Sequence, residues 1–345
     1  MIKKIASIIF LVSLSWSCID PLDIEVVDDG SRLVVFAEIT DQAEEYIVDL
    51  SRTANYESVN NVKVTEALVK VIDSKGNEYD FTEVRPGIYK SCPAEFIGQI
   101  GESYTLRINT QDEKIYESEI EEILPTGEIE SVYFERFDRQ VMIDGQLRPE
   151  KGLKLFCDFK DNPSEDYFRV DWEGTYQFRA APMDSEHTFC WNTEYSKFDI
   201  NLYEDSYTNN SLKKDFEITF LEAGFRFTQD YSFKAKLKSM SAGAYNFWRL
   251  IKQQYENDGS IFSALPAQIN SNIKSITNPE EKVLGYFITS AEVSKRIRIS
   301  PYDIGGGIST STLPCRQFRP TDPLQEYCYD CTKFENSVAE EPTYW

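Results

Sequence analysis

Ser103-Tyr104-Thr105-Leu106-Arg107-Ile108-Asn109 places the apolar residues Tyr104, Leu106 and Ile108 at every second position, between polar neighbours. In an extended chain successive side chains point to opposite faces, so this alternation predicts a strand with one face buried and one wet. Working outward, Leu33 to Ala37 and Tyr46 to Leu50 have the same β-type composition, and Glu66 to Ile72 runs into the turn signal Asp73-Ser74-Lys75-Gly76-Asn77 before Glu78-Tyr79-Asp80-Phe81 resumes. Six or seven short strands in residues 32–125 predict a β-sandwich, immunoglobulin-like or transthyretin-like, that ends at Leu124-Pro125-Thr126-Gly127.

The remaining chain, 126–345, reads as a larger β-rich domain, with strand composition at Leu153 to Phe159, Tyr167 to Phe178, Asp215 to Phe220, Val283 to Ser290 and Lys295 to Ser300. One long amphipathic helix interrupts it. After Ser241, an N-cap residue type, Ala244, Phe247, Trp248, Ile251 and Tyr255 recur at helical spacing, and Asn257-Asp258-Gly259 marks the end. A mainly β domain needs such a helix to cover a sheet, so the apolar stripe is expected to be a core contact. Trp172, Tyr176, Trp191 and Tyr195 are the aromatic residues that would form a sugar-stacking platform, although β-rich folds place most aromatics in their cores.

The N-terminus carries its own signal. Lys3 and Lys4 precede an apolar run from Ile5 to Leu14 that is about half the length of a bilayer-spanning helix. Leu14-Ser15-Trp16-Ser17-Cys18 is similar to the site at which lipoprotein signal peptides are cut. Residues 1–17 are therefore expected to be a removable leader, Cys18 the lipid-bearing residue, and 18–31 an acidic tether. Multiple acyl chains would then hold the protein at the outer membrane.

Composition narrows the function classes. The 345-residue chain has a net charge of −22, which becomes −24 once Lys3 and Lys4 leave with the leader. Such a field repels nucleic acid and anionic headgroups. His187 is the single histidine, in a polar stretch that reads as a surface loop, so multi-histidine metal sites and H-E-x-x-H proteases are excluded. No G-x-S-x-G elbow accompanies it. The 58 acids offer many carboxylate pairs, and the sequence singles out none. No catalytic residue, metal ligand or cofactor is predicted.

Besides Cys18, six cysteines remain: Cys92, Cys157, Cys190, Cys315, Cys328 and Cys331. An even number in an oxidising compartment favours disulfides, with redox or zinc roles as alternatives for Cys328-Tyr329-Asp330-Cys331. A bridge between Cys328 and Cys331 would close only a tiny loop. We therefore expect them to bond to different cysteines and to fasten the C-terminal tail onto the second domain, with Cys190 the expected outside partner.

Several segments together resemble the outer-membrane lipoprotein family known as domain of unknown function 4249. They are Leu33-Val34-Val35, Glu66 to Val71, Gly87-Ile88-Tyr89, Gly101 to Leu106, Ala244 to Trp248, Asn278-Pro279-Glu280-Glu281-Lys282-Val283-Leu284-Gly285-Tyr286-Phe287, Cys328 to Cys331 and Pro342 to Trp345. Cys92 and Cys157 lie outside that pattern. The resemblance carries over no catalytic residue. It implies an accessory role beside a TonB-dependent β-barrel transporter, and with no readable active site we expect a non-enzymatic binding or scaffold lipoprotein; the acidic residues after Cys18 resemble a signal for export to the cell surface, and the alternative expectation is a surface glycan-binding or glycan-hydrolysing lipoprotein.

Overall fold

The computed structural model describes residues 31–54, 62–162, 166–179, 189–196, 199–205, 211–256, 269–305 and 325–345. The leader, Cys18, nearly all of the tether, His187, Cys315 and the expected helix stop at 257–259 lie outside the described residues. The first half contributes β1 (Leu33–Thr40), β2 (Ile47–Arg52), β3 (Val62–Lys63), β4 (Leu68–Asp73), β5 (Glu78–Arg85), β6 (Ile88–Lys90), β7 (Ser103–Asn109), β8 (Ile115–Ser118) and β9 (Glu121–Glu122). Then follow β10 (Glu128–Ile143), β11 (Gln146–Lys160), β12 (Asp166–Arg179), β13 (Phe189–Tyr195), β14 (Asn201–Asp205), β15 (Leu212–Glu222) and β16 (Tyr231–Met240). Helix α1 (Ala242–Glu256), β17 (Ile273–Ser275), β18 (Leu284–Ser290), β19 (Glu292–Ile299) and β20 (Ser337–Val338) complete the order, and the protein is mainly β.

The alternation at 103–109 behaves as its pattern requires: Tyr104, Leu106 and Ile108 are buried, and their neighbours are half-exposed. The Asp73 turn closes because its carboxylate accepts from the backbone N–H of Lys75 at 3.0 Å and of Asn77 at 2.8 Å, while Gly76 takes φ +86°. Strands β1 to β9 do not complete their own sheet. β18 adds to β1 in parallel, Val34 opposite Leu284 through Thr40 opposite Ser290, and β17 adds to β8. The single boundary expected near residue 125 is thus corrected: 273–290 return to the first sandwich, whose core takes in Ile273, Val283 and Phe287. A parallel neighbour demands a long crossover. Here the crossover contains most of a second sandwich, with sheet β10-β11-β15 facing sheet β19-β16-β12-β13-β20 around Phe159, Phe168, Trp172 and Phe233.

Ser241 Oγ accepts from the N–H of Ala244 at 3.1 Å and so caps α1. The helix is a core contact between the two sandwiches. Its Ala244 and Phe247 pack on Met240, Tyr286 and Ile288, so β18 is buried on both faces.

Beside the helix lies a buried ionic cluster. The Nη2 atom of Arg169 (β12) donates to Glu38 (β1) at 2.8 and 3.0 Å and to Asp171 at 2.8 Å, with Nε reaching Asp171 at 2.9 Å. Lys238 (β16) lies 3.0 Å from Glu38, 3.4 Å from Asp171 and 3.7 Å from Glu292 (β19). Burial opposes the charge on Asp171, but Arg169 and Lys238 outweigh it and hold the carboxyl at about 2. The Trp248 ring covers the guanidinium at 4.8 Å. Arg169→Met leaves Lys238 to face two buried carboxylates, Glu38 and Asp171, and is expected to cost about 3 to 5 kcal/mol. Calorimetry should then show the sandwiches melting in separate transitions; an unshifted single transition counts against the cluster as their coupling.

Candidate functional site

A groove runs between α1 and the segment leading into β17. Its larger part, about 670 Å³, is lined by Arg32, Gln254, Asn270, Lys274, Glu281 and Lys282 among others. Its smaller part, about 250 Å³, shares Asn270 and Ser271 with the first and adds Gly243, Asn246, Asn272, Tyr286 and Glu119. A volume of this size suits a small organic ligand.

The groove's floor is fixed by backbone-like hydrogen bonding. Asn272 donates from Nδ2 to the carbonyl of Phe287 at 2.9 Å and accepts from the Phe287 N–H at 2.9 Å, copying the pairing of a strand. The same Nδ2 and the Tyr286 hydroxyl each donate to Glu121 at 3.1 Å. Burial raises the pKa of that carboxyl, although its hydrogen-bond donors oppose the rise. Gly243 lets the helix approach Tyr286: a Cβ there would stand 2.4 Å from the hydroxyl oxygen. On the wall, Glu281 accepts from Tyr116 at 2.8 Å and pairs with Lys114 at 3.1 Å. Its charge is met from below, and on the groove's rim Lys274 pairs with Glu119 at 2.6 Å, so with Arg32 and Lys282 the lining carries charges of both signs. The amides of Asn246, Asn270, Asn272 and Gln254, with these charged groups, suit a polar ligand. The family-like segment Asn278 to Phe287 supplies part of this lining, yet nothing in its residue types announced a groove, because the opposite wall is α1.

The cysteines sort differently from the even pairing expected. Cys190 and Cys331 form a disulfide, with Cα atoms 5.7 Å apart and 141 residues between them. Cys328 is also disulfide-bonded, so the Cys328-Tyr329-Asp330-Cys331 spacing is not an internal bridge. Cys92 and Cys157 are corrections, since both are free thiols. Cys157 points into the second sandwich's core, where burial pushes its thiol up to about 12, and Cys92 is at the surface of the first. The two belong to different sandwiches and have no route to each other.

The four aromatics singled out in the sequence form no platform. Trp172, Tyr176 and Trp191 are buried, Trp172 stacking on Phe233 and Tyr176 on Tyr231, while Tyr195 alone is half-exposed. The tail, in contrast, is held as the sequence suggested. Ser337 and Val338 pair with Asn192 and Trp191, Tyr344 meets the Thr175 hydroxyl at 3.0 Å beneath Arg296, and Trp345 packs edge-on against Trp191. Removing the bridge with Cys331→Ser should lower stability by about 2 to 5 kcal/mol. Limited proteolysis would register it as faster cleavage within residues 325–345; unchanged cleavage would mean that β20 and the aromatic contacts suffice.

One carboxylate pair emerges that the sequence could not select. Asp161, after β11, and Asp205, ending β14, are both nearly inaccessible and share a hydrogen bond, with Ser211 donating to Asp161. Burial, then the neighbouring Asp205, raises Asp161 to about 6. A raised folded-state pKa means that the protonated form stabilises the fold below about pH 4 and that this contribution is lost as pH rises through about 6. Urea unfolding of the Asp161→Asn variant should therefore show a weaker loss of stability between pH 4 and 7 than the parent; parallel profiles would remove the shared proton.

Among the described residues no group of three or more His, Cys, Asp or Glu side chains is placed to hold a metal ion, and no helix is long and apolar enough to cross a membrane. In comparisons with known proteins, the family described as "Domain of unknown function (DUF4249)" matches residues 19–296. No curated protein matches the chain.

Proposed function

The chain belongs to the DUF4249 family, and from that premise we propose that it is a non-enzymatic lipoprotein, lipidated at Cys18, that serves as an accessory binding or scaffold subunit of a TonB-dependent transport system at the outer membrane. In this reading the first sandwich is of immunoglobulin-like or transthyretin-like kind and presents the groove. The groove along α1 is the observation that carries the reading: it is open, lined by amides and by charges of both signs, and bounded by hydrogen bonds that keep its shape without ligand. A pre-shaped polar groove binds without first ordering its walls, so less of the contact energy is spent on ordering. Its residues offer hydrogen bonds and charge, which serve capture and release.

Two measurements test the reading. Fatty-acid labelling should mark the parent and miss Cys18→Ser, which should also leave the membrane fraction; equal labelling takes Cys18 out of the account. Affinity purification from detergent-solubilised outer membranes should recover a β-barrel transporter at stoichiometric level, and recovery of this protein alone would count against the accessory role.

A further inference from the structure

The first sandwich is one continuous run of paired strands whose two ends are β17 and β18. They meet along a seam, and Asn272 stands in it as a strand would. Its side-chain amide bonds both the N–H and the C=O of Phe287 on β18, while its own carbonyl accepts from the N–H of Glu119, next to β8, at 2.7 Å. Past Asn272 the seam continues as the larger part of the groove. Ile273, Lys274 and Ser275 form one side and Val283 and Leu284 the other, around a volume of about 670 Å³.

The ladder of β17 fixes which of its backbone groups face the seam. Asn272 accepts from Glu119, and Ile276 donates to the Ile115 carbonyl at 2.7 Å, so Asn272, Lys274 and Ile276 turn their backbone polar groups toward β8. Ile273 and Ser275, between them, turn theirs into the seam. The Ile273 N–H is met by Ser271 Oγ at 3.1 Å. The Ile273 carbonyl and both the N–H and the carbonyl of Ser275 have no backbone partner among the described residues, although both residues are buried. Buried backbone groups are nearly always paired, so three of them along one groove wall call for a ligand with matching donors and acceptors.

We propose that the groove takes an extended peptide segment, which lies in the seam along β17 and pairs with Ile273 and Ser275 as an added strand. This rests on the reading of the groove as the binding site and names its ligand class. Each peptide unit offers one donor and one acceptor, and a carboxamide offers the same pair. Asn272 already makes that fit on Phe287, and Asn270, shared by both parts of the groove, brings a second carboxamide to the lining. The chemistry argues against other occupants. A saccharide gains most from an open ring face, whereas the aromatics of the lining, Phe247 and Tyr286, are both buried. A polyanion would meet Glu281 and Glu119 beside the cations. Helix α1 walls the groove across from β17, so the edge of a folded sheet has no approach and the chain must enter as an isolated segment.

The test uses the purified full-length protein and a pool of short peptides of fully randomised sequence, with the retained peptides identified by mass spectrometry. A subset should be retained. Methylating the backbone nitrogens of a retained peptide in the register that faces β17 should weaken binding about tenfold, and methylation in the alternate register should not. Asn270 is exposed, so Asn270→Ala should keep the melting temperature and weaken binding several-fold. By hydrogen exchange the Ser275 amide should be fast in the free protein and slow with peptide, while that of Lys274, turned toward β8, is slow in both. Retention of no peptide, indifference to methylation in both registers, or a Ser275 amide already slow in the free protein would each overturn the proposal. If malto-oligosaccharides protect Ser275 and peptides do not, the groove remains a binding site and the peptide assignment alone falls.

Discussion

The parallel pairing of β18 with β1 is the constraint from which the rest of the architecture follows. β1 has an antiparallel neighbour in β2 on one edge and β18 on the other, so it is a central strand, and the first sandwich closes only after the chain has gone away and returned. The close approach has a local requirement at Gly285, where φ is +91° and a Cβ would stand 1.8 Å from the Val35 carbonyl oxygen. What lies between departure and return, β10 to β16 and α1, is therefore tethered at both ends to one sheet. A domain inserted this way has little freedom to drift, and its inner face meets the outer face of β1 and β18.

That meeting sets where charge can be buried. Along β1 the inward residues Val35, Ala37 and Ile39 fill the sandwich, so Phe36 and Glu38 point the other way, into the second body. Phe36 packs edge-on against Trp248, and Glu38 enters the cluster with Arg169 and Lys238. An interface sealed by apolar residues alone would tolerate sliding by a residue pair. A buried ionic contact between Arg169 and Glu38 does not, because each displaced partner becomes an unpaired buried charge. Arg169 keeps one cost: its Nη1 has no hydrogen-bond partner, and the face of Trp248 lies over the group instead.

How much of this the sequence disclosed depends on the range of the interaction. Period-two alternation at 103–109 and the helical spacing from Ala244 with its Ser241 cap are local, and both elements are found where they were read. The β18 strand was also legible as β, but its partner was not: nothing in Leu284 to Ser290 states that it lies beside residues 34–40. The same limit hid the groove, whose walls are α1 and the β17 approach, and the Asp161–Asp205 pair, whose members come from different strands. For the cysteines, the argument from loop size separated Cys328 from Cys331, whereas parity misled for Cys92 and Cys157, because burial of one thiol leaves the other without a partner in reach.

The β10–β11 hairpin runs on past Gly152, where β15 ends, and its root shows how a projecting element can be held without a core of its own. Arg139 bonds Glu150 across the strands at 2.5 Å and lies over the Phe220 ring at 4.0 Å, while Lys154 covers Phe137 at 4.4 Å and pairs with Glu217. Gly152 is what brings Phe220 in, since a Cβ there would stand 2.4 Å from the ring. Each such cation–ring contact is worth only about 0.5 to 1 kcal/mol at an exposed site. Their placement matters more than their sum. They sit where the third strand ends, so they stiffen the step from a three-stranded sheet to a two-stranded ribbon and leave the tip, which has no such brace among the described residues, as the adaptable part.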